Sequence, residues 1–203
     1  MGKRGRFGKY GEFKRISRLR AGKANPFCAP GRQIMETGKA GIQKIHTPPK
    51  GNVTVRVAES SDVDFVRDLS ERVFQQYGPY EKTLARWFAS GITVTFLAVL
   101  GDKPVGFAML GEPNYTWSFS PICELLAIAV APEKRRLHVA DLLMNKLEGT
   151  AHEFKVDRLI LHTSTENAPA RRLFEKHHFI PAQIEKVFYP KGQDALMMYK
   201  ELS

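Results

Sequence analysis

Three side chains of this chain could move a proton. Glu124 opens the apolar run "CELLAIAV" (residues 123–130), His162 lies in "RLILHTS" (158–164), and Tyr189 follows in "VFYPKG" (187–192). Strand alternation places Glu124 on the face of Leu126, Ile128 and Val130. A carboxylate on an apolar face has a raised pKa, which suits a general base near neutrality. The plain alternative is a carboxylate in solvent at a strand start. His162 titrates in the useful range by its own chemistry, with a hydrogen-bonded histidine near a strand end as its plain reading. A fourth feature is the turn in "VAPEKRRLHVADLL" (130–143), where Arg135 and Arg136 stand just before a helix N-terminus. Free N–H groups and the helix dipole attract an anion there, whereas the bland alternative is a basic surface turn.

The elements that must hold these groups read as follows. Val53 to Ala58 alternates as a strand. "SSDVDFVRDLSERVF" opens a helix with Ser61 and Asp64 spaced as a capping box, and Tyr80 to Ala89 is a second helix ended by Gly91. "ITVTFLAVL" and "VGFAMLGE" flank Gly101-Asp102-Lys103-Pro104 as a hairpin. "CELLAIAV" is the next strand and Val139 starts a helix with Leu142, Leu143, Leu147, Ala151 and Phe154 on one face. "RLILHTS" is a strand, "APARRLFEKH" a short helix, and Phe179 to Glu201 supplies two closing strands. The order β-α-α-β-β-β-α-β-α-β-β predicts an α/β domain with a mixed sheet.

At 203 residues and 43% hydrophobic content, the chain is long enough for one cored domain with an extension. The charge is uneven. Residues 1–52 hold 13 of the 31 Lys and Arg but only 2 of the 21 Asp and Glu, a net of +11; residues 53–203 hold 18 and 19, a net of −1. With glycine every few residues and Pro26, Pro30, Pro48 and Pro49, residues 1–52 are expected to be a low-order arm, and residues 53–203 the folded domain. The arm's cations and its Phe7, Tyr10 and Phe13 suit contact with RNA or a ribosome through residues 1–50. A solubilising tail, a targeting presequence and residues upstream of the true start are the competing readings. The strongest apolar run, Leu125 to Ala131, is too short to span a bilayer, and the N-terminus has no secretory apolar segment. Cys28 and Cys123 have neither a disulfide framework nor zinc-ligand spacing, so a reducing, cytoplasmic setting without a metal is expected.

Element order and motifs together resemble the GCN5-related N-acetyltransferase superfamily over roughly residues 53–203. That family's cofactor signature is Arg or Gln, two free positions, Gly, one free position, then Gly or Ala. It lines up with Arg135-Arg136-Leu137-His138-Val139-Ala140, a histidine taking the first glycine's place. A second motif, Asn167, then Phe174-Glu175-Lys176 and Phe179, is similar to the family's "N-x-x-A-x-x-L-Y-E-K-x-G-F". The segment "YPKGQDALMMYKEL" is similar to the end of ribosomal-protein-alanine N-acetyltransferases.

The resemblance implies an acetyl-CoA-dependent enzyme that transfers an acetyl group by direct attack of a primary amine, a protein N-terminus being one candidate acceptor. The pantetheine arm would lie along the backbone of Ile128, Ala129 and Val130, in a gap between "CELLAIAV" and "RLILHTS". The pyrophosphate would sit at Arg135, Arg136, Leu137, His138, Val139, Ala140 and Asp141, with Asn167 and Phe174 lining the arm. Glu124 matches the glutamate base of the histone-acetyltransferase branch, and His162 matches the place of a glutamate base in ribosomal alanine acetyltransferases. Phe174 stands where the family often carries a tyrosine acid, which leaves Tyr189 or water to protonate the CoA thiolate, a slow enzyme, or a CoA-binding regulatory module without turnover. A role carried mainly by the basic arm is a further alternative. His178 replaces the family's glycine helix cap. Tyr115, Trp117 and Phe119 either wall an acceptor site or cap a hairpin end.

Overall fold

The computed structural model describes residues 52–113 and 121–202. The readings of residues 1–51 as a basic arm, and of Tyr115, Trp117 and Phe119 as an aromatic wall, lie outside the described residues.

The elements are β1 (Val53–Val57), α1 (Val63–Phe74), α2 (Tyr80–Ala89), β2 (Thr93–Leu100), β3 (Lys103–Gly111), β4 (Ile122–Val130), α3 (Val139–Glu153), β5 (Arg158–Ser164), α4 (Ala168–Lys176), β6 (Ile180–Glu185) and β7 (Ala195–Glu201). This is the expected order. The strands form one seven-stranded sheet in the order β1-β2-β3-β4-β5-β7-β6. Every neighbouring pair is antiparallel except β4 and β5, which run parallel and are joined through α3.

Apolar residues fill both faces of the central strands because both faces are covered. One core joins Val139, Leu143, Leu147 and Ala151 of α3 and Phe174 of α4 to Phe96, Ala108, Leu125 and Leu161 of the sheet. The other joins Val66 and Leu69 of α1 and Leu84 of α2 to Leu97, Phe107, Met109 and Ala129. The α3 stripe differs from expectation at one residue: Leu142 is exposed, while Val139 and Met144 are buried beside Leu143. At about 100° per residue Val139, Leu143, Leu147, Ala151 and Met144 share one arc of the helix, and Leu142 lies about 60° beyond its Val139 edge.

The start of α1 also differs. The bond that fixes it runs from the Glu59 backbone N–H to Asp62 Oδ2 at 2.7 Å. Arg56 donates to both Asp62 oxygens at 2.7 and 2.9 Å. Asp64, assigned above to a box with Ser61, instead accepts from Arg67 at 2.7 Å. The arginine reaching over from β1 decides which carboxylate is drawn to the helix start. In the β2–β3 hairpin the turn is only Gly101-Asp102, with Gly101 at φ 61° and the ladder resuming at Leu100↔Lys103.

Two features of β4 shape the site. It pairs with β5 only over Ile122↔Arg158 to Leu125↔Leu161, so Leu126 to Val130 have β3 on one side and no strand on the other. The register with β3 also slips, Met109 facing Ala127 and Leu110 facing Leu125, which makes Leu126 the extra residue of a β-bulge. The bulge resets alternation. Cys123 and Leu125 pack in the α3-side core, Leu126, Ala127 and Ala129 in the α1–α2 core, and Ile128 and Val130 return to the α3 side. Glu124 therefore shares the α1–α2 face with Leu126, and not the face of Ile128 and Val130 as unbroken alternation predicts.

Candidate active site

Glu124, His162 and Tyr189 come together. The β4–β5 ladder brings Glu124 opposite Ile160, and His162 Nδ1 lies 2.9 Å from Glu124 Oε1. Glu124 is thus a carboxylate paired with an imidazole, not one isolated among apolar groups. The other ring nitrogen, Nε2, faces Glu185 Oε1 at 3.4 Å, and Gln183 Nε2 donates to that same oxygen at 3.0 Å. Burial disfavours the imidazolium, but the two carboxylates outweigh it and raise the His162 pKa above its ordinary value. Phe188 stacks on the imidazole, with centroids 4.7 Å apart and planes 11° from parallel.

Tyr189 lies in the β6–β7 loop, its ring 5.1 Å from Phe188, 4.9 Å from Tyr77 and 6.2 Å from Tyr80. Burial, with the neighbouring tyrosines and Glu124, raises its hydroxyl pKa well above the usual value, so it holds its proton at neutral pH. The loop is bound to the α1–α2 connection, where Lys191 N–H donates to the Tyr77 carbonyl at 3.2 Å and the Gln193 side chain to the Gln76 carbonyl at 2.7 Å. Two loops distant in sequence thereby pack together, Phe188 of one lying on the imidazole and Tyr77 of the other against Tyr189. Chemically, the arrangement can take a proton from an amine while excluding water from its surroundings.

The predicted cofactor residues fall on two connected stretches. Ile128, Ala129 and Val130 form the part of β4 with no strand on its β5 side, so their outward backbone groups are open to an extended ligand. Gly106 sits against this stretch from β3, where a Cβ would lie 2.8 Å from the Ala129 carbonyl oxygen. The strand then runs through a 3₁₀ turn (Pro132–Lys134) into the basic turn, with Arg135, Arg136, Leu137 and His138 all exposed. Arg136 and His138 are left-handed, at φ 63° and 57°, so the position where the family carries glycine does require positive φ. The first intrahelical bond of α3 is Leu142 N–H to the His138 carbonyl, which leaves the N–H groups of Val139, Ala140 and Asp141 without helical acceptors. Asp141 itself is turned to Lys176, His177 and His138.

Asn167 caps α4, its side-chain oxygen accepting from Ala170 N–H at 3.3 Å. Phe174 is buried in the α3-side core with its ring 6.1 Å from Phe179. His178 is left-handed at φ 65°, as its place in a glycine cap implies. Among the described residues no group of His, Cys, Asp or Glu is arranged to hold a metal, and no helix is long and apolar enough to cross a membrane.

Sequence reading missed Glu185, Phe188, Tyr77 and Gly106. Glu185 and Phe188 reach His162 only through the β5–β7–β6 register, which no local pattern encodes. Gly106 carried a usable signal, since an isolated glycine inside a strand marks a close backbone approach.

The parallel strand pair, opened at its carboxyl ends, leads into a cationic helix N-terminus beside the Glu124–His162 pair. The model of the Acetyltransferase (GNAT) family matches residues 63–179, and the chain belongs to that family. It is 26% identical over 159 residues to an N-alpha-acetyltransferase of Saccharolobus solfataricus, covering 73% of this chain and 93% of the relative. Among solved structures it is similar to the ribosomal-protein-S18-alanine N-acetyltransferase of Escherichia coli, with 25% identity, TM-score 0.63, and coverage of 75% and 95% of the two chains. Arabidopsis thaliana NAA60 in complex with acetyl-CoA shares the fold at TM-score 0.65 and 16% identity, covering 74% and 98%. The protein is an acetyl-CoA-dependent N-acetyltransferase.

Proposed function

We propose that this enzyme acetylates the α-amino group of protein or peptide N-termini, with Glu124 and His162 acting as one base. The observation that carries the reading is the 2.9 Å Glu124–His162 pair at the foot of the strand split, with Phe188 stacked on the imidazole and Tyr189 against Phe188. The pair takes a proton from the acceptor ammonium, and the neutral nitrogen attacks the thioester carbonyl carbon. The nitrogen of the tetrahedral adduct gives up its second proton to water, and the adduct collapses with cleavage of the C–S bond. With Phe174 unable to donate and the Tyr189 hydroxyl raised well above its usual value, the CoA thiolate leaves unprotonated, at modest cost for a thiol pKa of about 8.5, and is protonated by water. The pantetheine arm lies along Ile128 to Val130, and the pyrophosphate on the turn from Arg135 to Asp141.

The test uses two peptide sets with acetyl-CoA, one with free α-amines and blocked lysines, the other reversed. Thiol release and a mass increase of one acetyl group are expected only with the first. Release only with the second would overturn the α-amine reading. The charge of residues 1–52 favours an additional contact with RNA or a ribosome made by that arm. Deleting residues 1–50 then removes a salt-sensitive association with RNA while peptide acetylation persists, and unchanged RNA association would refute the contact.

A further inference from the structure

Asp141, at the third position of α3, uses both of its oxygens. Oδ2 lies 3.1 Å from His138 Nδ1. Oδ1 accepts from Lys176 Nζ at 2.6 Å and faces His177 Nε2 at 3.2 Å. Burial works against its charged form, but Lys176, His138 and His177 together hold the Asp141 carboxyl below the usual range. An ionised carboxylate only accepts, so the His138 nitrogen facing it is the one that carries a proton. Behind it, buried His177 turns Nδ1 to Glu148 Oε1 at 3.1 Å, and Glu148 Oε2 accepts from Lys200 Nζ at 2.8 Å. The cofactor turn is thus tied through Asp141 to α4, and from His177 through Glu148 on to β7.

We propose that Asp141 is a positioning residue for the cofactor turn: anchored by Lys176 and His177, it accepts the His138 ring N–H and holds a residue with a side chain in the left-handed conformation this turn requires. The proposal rests on the reading that the turn receives the CoA pyrophosphate. Left-handed backbone disfavours a residue with a Cβ by roughly tenfold in population. A hydrogen bond to a charged acceptor is of comparable size, so this one contact decides which conformer dominates. If His138 leaves the left-handed region, the N–H groups of Val139 and Ala140 lose their shared aim. Glycine at 138 would need no such tie. The same anchoring offsets the charge that a carboxylate brings to a helix start meant for an anion.

The test is a double-substitution cycle on the full chain, reading KM and kcat with acetyl-CoA and with acetyl-pantetheine, a donor lacking the pyrophosphate. Asp141→Ala is expected to raise KM for acetyl-CoA about tenfold, by the same conformational factor. Its kcat should stay near wild type and KM for acetyl-pantetheine should be unmoved. Asp141→Asn, which keeps an acceptor oxygen, has a smaller effect and covers the case in which the alanine variant folds poorly. In a His138→Gly background the cost of Asp141→Ala falls below about twofold, because the need for the tie is gone. An equal cost in both backgrounds would mean that Asp141 acts only through α4 and would overturn the proposal, as would a lower KM on removing the charge. Replacing Arg135 and Arg136 by Ala tests the underlying reading separately. No change in KM for acetyl-CoA there would remove the pyrophosphate site and the proposal with it.

Discussion

The proposed base site and the proposed cofactor turn are built in opposite ways. At the base site a 13%-exposed imidazole depends on side chains 38 and 23 residues away, drawn in by sheet register and by two docked loops. The turn is seven consecutive residues, the first four exposed, offering backbone N–H groups and the cations of Arg135 and Arg136. Side-chain chemistry resides in the first and backbone geometry in the second. Substitutions at the base site should therefore change turnover, and those around the turn should change donor affinity.

The largest effect tests that division directly. Glu124→Gln and His162→Gln should each lower kcat about 10²–10⁴-fold, the usual range for loss of a positioned base, with KM for acetyl-CoA near wild type. The two act as a unit, so the double variant should be little worse than either single one. The raised His162 pKa fixes the pH dependence. An imidazole must be neutral to accept a proton, so activity rises with pH through a limb lying above the ordinary value near 6.5. Glu185→Gln removes one charge that raises that pKa and should move the limb to lower pH, which a pH–rate profile reads. For stability the sign is opposite. A pKa raised on folding contributes stability that is full below about 6.5 and is lost as pH climbs through the folded-state value. Denaturant unfolding of His162→Gln should therefore lose stability against wild type at pH 5.5 and much less at pH 9. A limb unmoved by Glu185→Gln would show that the third carboxylate is structural.

The same contrast explains what could be read from the sequence. The turn was legible because everything it uses is contiguous, from Arg135 to Asp141, and because a strand, a proline and a helix start announce it. Even the need for positive φ at His138 follows from the glycine that the resemblance places there. At the base site the partners Glu124 and His162 were legible as types, but their arrangement was not. Alternation carried past Leu126 assigns Glu124 the wrong face, because a bulge leaves no mark in an unbroken apolar run. Glu185 looks like any strand-end glutamate until β7 inserts between β5 and β6. Asp62 and Asp64 compete for the same place at the helix start on local grounds, and Arg56 of β1 decides between them.

A middle-sized effect should come from Gly106, which lies in neither region yet supports the opened half of β4. A Cβ there would meet the Ala129 carbonyl oxygen at 2.8 Å and Leu143 Cδ1 at 3.4 Å. The leucine tip can yield, but the backbone oxygen cannot without moving β4. Gly106→Ala should therefore raise KM for acetyl-CoA several-fold and destabilise the protein by about 1–3 kcal/mol, the range for overpacking. If kcat falls instead while KM holds, the opened strand is coupled to the base, and the division between the regions fails.

The smallest effects separate backbone strain from binding. His138 and His178 are both left-handed, at φ 57° and 65°. His138 has Asp141 to hold it, whereas His178 makes no side-chain hydrogen bond among the described residues; only its N–H is used, to the Glu175 carbonyl at 2.9 Å. Relief of left-handed strain, about 1–2 kcal/mol, outweighs the extra freedom glycine gives the unfolded chain. His178→Gly should then stabilise the protein by about 0.5–1 kcal/mol with no change in KM or kcat. His138→Gly forfeits its bond to Asp141 and should gain less, on the order of 0–0.5 kcal/mol by the same balance. Denaturant midpoints at constant slope measure both. A larger gain at 138 than at 178 would mean that the Asp141 contact contributes little to the turn, and that its strain is borne by the fold as a whole.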